Sequence, residues 1–111
     1  MFFYQLRNMI VIYVPFLWVD GIALWPFVLV KHKTHIKELI NHEAIHIRQQ
    51  LEMGVLLFYV WYGIEFAVRY FKYKKIDTAY RNISFEREAY SNDKNLSYLK
   101  DRKFWTFLRY Q

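Results

Sequence analysis

His42-Glu43-Ala44-Ile45-His46 places two imidazoles four residues apart, with a carboxylate beside the first. Four residues advance a helix by about 400°, so the rings stand about 40° apart, one turn apart on one face. Both can then reach a single Zn²⁺. Glu43 is offset from that face. It is badly placed to be a third ligand from the same turn and well placed to take a proton from a water on the metal. The chain has only four histidines in 111 residues, so a chance match to this pattern is rare. The competing reading is a pair of half-buried histidines that hydrogen-bond their neighbours.

A catalytic zinc with two His ligands needs one more ligand from the protein. There is no cysteine to supply it. His32 and His35 lie in the polar run Lys31-His32-Lys33-Thr34-His35 and read as solvated loop groups. The downstream carboxylates are Glu52, Glu65, Asp77, Glu86, Glu88, Asp93 and Asp101. Glu86 and Glu88 open a separate predicted helix, from which a side chain can reach across to the first. They are about 200° apart on that helix, so only one can face the metal. The other is expected to be solvated or paired with Lys or Arg.

The motif His42-Glu43-x-x-His46, followed 40 residues later by Phe85-Glu86-Arg87-Glu88-Ala89, resembles the gluzincin metallopeptidases. The resemblance is to the CAAX-prenyl-protease group, the peptidase domains of β-lactam sensor proteins and the small soluble minigluzincins. It covers roughly residues 20–95. In that family a later helix bears E-x-x-A-D, whose Glu is the third zinc ligand. Position by position, the resemblance makes Glu86 that ligand and matches Ala89 to the family Ala. The family Asp, which orients a zinc-bound histidine, falls on Tyr90. Tyr90 as a neutral hydrogen-bonding group, or a different residue, must then take that role.

The elements that must position these groups can be read from pattern. Met9–Val14 is rich in β-branched residues and predicts a strand. Ile22–Val30, opened by Gly21, predicts a second extended segment. Pro26 inside it predicts a place at a sheet edge, where substrate backbone can add as a further strand. Thr34 is a plausible N-cap for the motif helix, with Ile36, Ile40, Ala44, Ile47 and Leu51 as its apolar stripe. Gly54 ends or bends that helix before a second, Val55–Tyr73, on which Glu65 and Arg69 can pair. Asn82 or Ser84 is expected to cap a third helix from about Phe85 to Lys100.

Aromatic residues number 24, and hydrophobic residues make up 55% of the chain. This excludes disorder and is more ring area than one small domain readily hides. The rings concentrate in 13–27, 58–73 and 104–110. Net charge is +6, and residues 72–111 carry ten basic and five acidic groups. A basic third beside apolar segments suits an anionic membrane face. No nucleic-acid recognition motif accompanies it, so nucleic acid is not expected as a partner. The uncharged run Met53–Ile64 is 12 residues, short of a simple membrane span. The stretch Gly54–Phe71 therefore reads as a core helix or one lying in a bilayer interface. Arg7 followed by Met9–Val19 only faintly resembles a secretory signal and is not expected to be cleaved. The tail Phe104–Gln111 reads as core, with an interfacial anchor and a groove plug as alternatives.

These readings predict one α+β domain over residues 1–111, with a small N-terminal antiparallel or mixed sheet followed by about three helices, zincin-like. The expected function is zinc-dependent peptide-bond hydrolysis, with Zn²⁺ on His42, His46 and Glu86 and Glu43 as general base. Tyr80, Arg87 and Tyr90 are candidates for transition-state or supporting donors. The expected partners are a peptide or protein substrate and a peripheral membrane contact, with the chain cytoplasmic or at the cytoplasmic membrane face. The alternative is a catalytically weak zinc-binding regulatory or membrane-associated interaction protein.

Overall fold

The structure, a computed structural model, describes residues 3–6, 9–32 and 37–111. The β-branched run Met9–Tyr13 forms strand β2, antiparallel to β1 (Phe3–Leu6). The segment predicted as one extended strand is a hairpin. Its arms are β3 (Gly21–Leu24) and β4 (Phe27–Val30), and Trp25-Pro26 makes the turn. Pro26 thus sits where no ladder donor is needed. The order β1-β2-β4-β3 puts β1 at one edge, β3 at the other, and β4 inside, parallel to β2. The edge prediction therefore holds for Gly21–Leu24 and fails for Phe27–Val30.

The motif lies in α1 (Lys37–Met53). Ile40, Ala44 and Ile47 pack on Met9, Val11, Ala23, Val28 and Val30 of the sheet, as the helical spacing predicts. Leu51, at the end of the predicted stripe, is exposed. Thr34, His35 and Ile36 lie outside the described residues.

At Gly54, whose φ of 85° favours glycine, the chain turns by 112° into α2 (Val55–Tyr73). Phe58 of α2 joins a second core with Ile83, Phe85 and Phe107. The tail therefore packs as core through Phe107, while Phe104 stays exposed.

A short helix that the sequence reading lacked, α3 (Ile76–Arg81), leads to α4 (Ser84–Asn92). The predicted third helix is divided: α4 ends at Asn92 and α5 covers Tyr98–Asp101. The N-cap position of α4 is Ile83, without a side-chain cap. Glu65 of α2 serves instead. Its carboxylate accepts from the Ser84 amide at 2.9 Å and from the Ser84 hydroxyl, placing negative charge at the positive end of the helix. Arg69 lies 3.8 Å from the same carboxylate, the predicted pairing.

Candidate metal centre

Helices α1 and α4 cross so that His42, His46 and Glu86 converge, all buried. Glu86 Oε1 is 3.0 Å from His42 Nε2 and 3.1 Å from His46 Nε2. The three ligand atoms lie within 4.8 Å of one another.

The other ring nitrogens decide what this cluster lacks. Gln49 Nε2 donates to Phe85 O at 3.3 Å and Glu88 Oε1 at 3.0 Å. Its Oε1 therefore faces His46 Nδ1, at 2.7 Å, and that nitrogen must carry the proton. His42 Nδ1 likewise donates to Asp93 Oδ2 at 3.1 Å. Both Nε2 atoms are left with lone pairs aimed at a carboxylate oxygen, itself an acceptor. Only a proton or a metal cation satisfies three acceptors at such distances. The donor set, two imidazoles and one carboxylate, fits zinc with a position to spare.

Burial alone would push Glu86 up and His46 down. The charges and hydrogen bonds between them outweigh it. They hold the Glu86 carboxyl well below its usual range and raise His46 to about 9. In metal-free protein the stability from protonated His46 is complete below its ordinary 6.5 and is lost as pH rises through about 9. Glu86, with its depressed value, does not titrate in that window. The urea midpoint of chelator-treated protein should therefore fall between those pH values. A flat midpoint would contradict it.

Glu43 is buried at the edge of the cluster, and among the described residues nothing hydrogen-bonds its carboxylate. Burial raises its pKa, while His46 and His42 oppose the rise. Gly21 lies directly over it: a Cβ there would stand 3.0 Å from Glu43 Oε2. Glycine is what lets the edge strand come this close. Two adjoining cavities of ≈ 320 and ≈ 950 Å³ share Trp18, Gly21, Glu43, Tyr62 and Tyr80 in their walls. No residue of the tail lines either one, which sets aside the plug reading.

The free edge of β3 is partly taken. Lys31 N donates to Asp20 O, so Gly21 and Ala23 direct their backbone groups away from β4. Ala23 O accepts from Gln50 Nε2 at 2.9 Å and from the Tyr59 hydroxyl. Trp25 N donates to Gln50 Oε1 at 2.7 Å. Among the described residues the outward groups of Gly21, beside Glu43, have no partner.

The other predicted site residues divide. Tyr80 lines both cavities, and its hydroxyl is 3.2 Å from that of Tyr90. The Tyr90 ring packs edge-on against His42 at 4.5 Å, so Tyr90 supports that ring sterically while Asp93 supplies the orienting carboxylate. Arg87 does not reach the cleft. It bonds Asn82 Oδ1 and Tyr110 O. Glu88 is paired, as the exclusion argument predicts, but fully buried rather than solvated: Arg102 and Tyr98 bond it. His32 is exposed and faces Asp20. Sequence reasoning missed Tyr62, whose hydroxyl donates to Glu86 Oε2 at 2.6 Å. Its signal was its place one turn after Phe58 on the inward side of α2. Burial and Glu86 push Tyr62 and Tyr80 above the ordinary tyrosine range, so both remain donors.

Comparison with protein-family models, curated proteins and solved structures found no match.

Proposed function

We propose that the chain is a zinc-dependent peptide-bond hydrolase of gluzincin type. The observation that carries this reading is the convergence of His42 Nε2, His46 Nε2 and Glu86 Oε1, with the unpartnered Glu43 carboxylate beside them under an open strand edge. His42, His46 and Glu86 would hold the metal. Zinc, when bound, lowers the pKa of a coordinated water and polarises a carbonyl.

The protein's own groups do the rest. Asp93 and Gln49 fix both imidazoles with Nε2 turned inward. Tyr62 holds the second oxygen of Glu86, keeping Oε1 toward the histidines. Glu43 takes a proton from water and returns it to the leaving amine, work suited to a carboxylate whose pKa burial has raised. Gly21 offers its outward N–H and C=O to an extended peptide, so backbone pairing gives affinity with little side-chain selectivity. Because Gln50 and Tyr59 occupy the edge at Ala23 O, that pairing is short.

Metal analysis of protein purified without added metal tests the reading. About one zinc per chain is expected, lost in His46→Ala. Metal-free wild type, after incubation with zinc and dialysis, would sink it.

A further inference from the structure

Helix α2 has an inward side that is fully explained and an outward side that is not. Among its nineteen residues only Phe58 and Glu65 are buried. Glu65 and Arg69, its only charges before the last turn, point inward, where Glu65 holds α4. The opposite side carries Leu56, Val60, Ile64, Val68 and Phe71 at helical spacing, and all five are exposed. Leu56 is 80% exposed, Ile64 60% and Phe71 71%. The stripe extends about 22 Å along the helix with no polar side chain at its centre. Scattered exposed apolar residues are ordinary, but a continuous stripe marks an interaction surface.

Its C-terminal end indicates the partner. Lys72, Lys74 and Lys75 follow directly, and Lys74 Nζ stands 5.4 Å from the Phe71 ring centroid. Lys74 thus continues the apolar stripe directly, with Lys72 and Lys75 exposed beside it. A second copy of the chain is a poor match. Its stripe carries no acid, and the nearest carboxylate in sequence, Asp77, already faces Arg81 at 3.8 Å, so pairing of two stripes offers these lysines little. A surface with anionic groups above an apolar layer meets both halves at once. Among the described residues no single helix is long and apolar enough to cross a bilayer; α1 and α2 would be so only together, and they are bent by 112°. Helix α1 packs on the sheet and buries His42, Glu43 and His46 inside the protein, so α2 is the part that lies on the surface.

We propose that the outer face of α2 docks the protein on an anionic lipid surface, with Leu56, Val60, Ile64, Val68 and Phe71 in the acyl boundary and Lys72, Lys74 and Lys75 at the headgroups. The proposal does not depend on the metal centre.

Co-sedimentation of the full chain with phosphatidylcholine vesicles, with and without phosphatidylglycerol, tests it. Binding to the anionic vesicles is expected to exceed binding to neutral ones. Val60→Glu/Ile64→Glu should reduce it by about tenfold or more. Each Lys→Gln change at 72, 74 or 75 should reduce anionic binding by about fivefold and neutral binding little. The substituted side chains are exposed, so circular dichroism should be unchanged. Wild type left in the supernatant with both vesicles would overturn the proposal, as would unchanged binding by the Glu variant. Dimers in vesicle-free solution that Ile64→Glu dissociates would also overturn it, assigning the face to a second copy.

Discussion

Glu43→Gln is expected to leave the zinc content unchanged and to lower peptide hydrolysis by about 10²–10⁴-fold. The carboxylate is not one of the three converging ligand atoms, and among the described residues it holds no hydrogen bond whose loss would disturb the fold. Gln has nearly its shape, so the close approach of Gly21 survives. What disappears is the ability to accept a proton. Activity on a peptide mixture, followed by mass spectrometry beside metal analysis of the same preparation, separates the outcomes. Undiminished hydrolysis would remove Glu43 from the mechanism. Zinc lost along with activity would make it a structural group instead.

The second large effect lies behind the cluster of His42, His46 and Glu86. Arg102 has a fully buried side chain between Glu88 and Glu52 and bonds both. Glu88 also accepts from Tyr98 and from Gln49, which in turn orients His46. Arg102→Met should destabilise the fold by about 3–5 kcal/mol, because it leaves buried carboxylates without a counter-charge. That is a large fraction of an ordinary domain's stability. Adding Glu88→Gln to Arg102→Met should recover part of the loss, since one uncompensated charge is removed. Urea unfolding of both variants measures this. A single variant as stable as wild type would show that the cluster contributes little.

The parts of the site that could be read from sequence are those encoded locally. The spacing within His42–His46 fixes two rings on one face of α1, and the rotation between Glu86 and Glu88 forbids both from facing inward. Val55–Tyr73 was legible because Gly54 interrupts and Lys74 follows. Asp93, Gln49, Tyr62 and Arg102 were not legible in their roles. Each acts through a partner 24 to 51 residues away, except for the short reach from Gln49 to His46 and from Arg102 to Glu88. Their chemistry appears only when α1, α2 and α4 pack. The six-residue α3 and the four-residue β1 are too short to show a period. A proline within an apolar run signals an edge strand or a turn alike, and only the pairing of Gly21–Leu24 with Phe27–Val30 decides for the turn. Asp93 also answers the question raised by Tyr90. The orienting carboxylate is present, three residues further along the chain, on the loop that follows α4.

An open strand edge is a template on which any exposed strand can polymerise. Edge strand β3 would be such a template, with Leu24 at its end and Trp25 and Phe27 beyond it all exposed. The Gln50 side chain bonds Ala23 O and Trp25 N much as a neighbouring residue's backbone would. One amide thus imitates the next strand and then stops. Sheet growth from one molecule to another would be halted at that end, while the outward groups of Gly21, beside Glu43, have no backbone partner among the described residues.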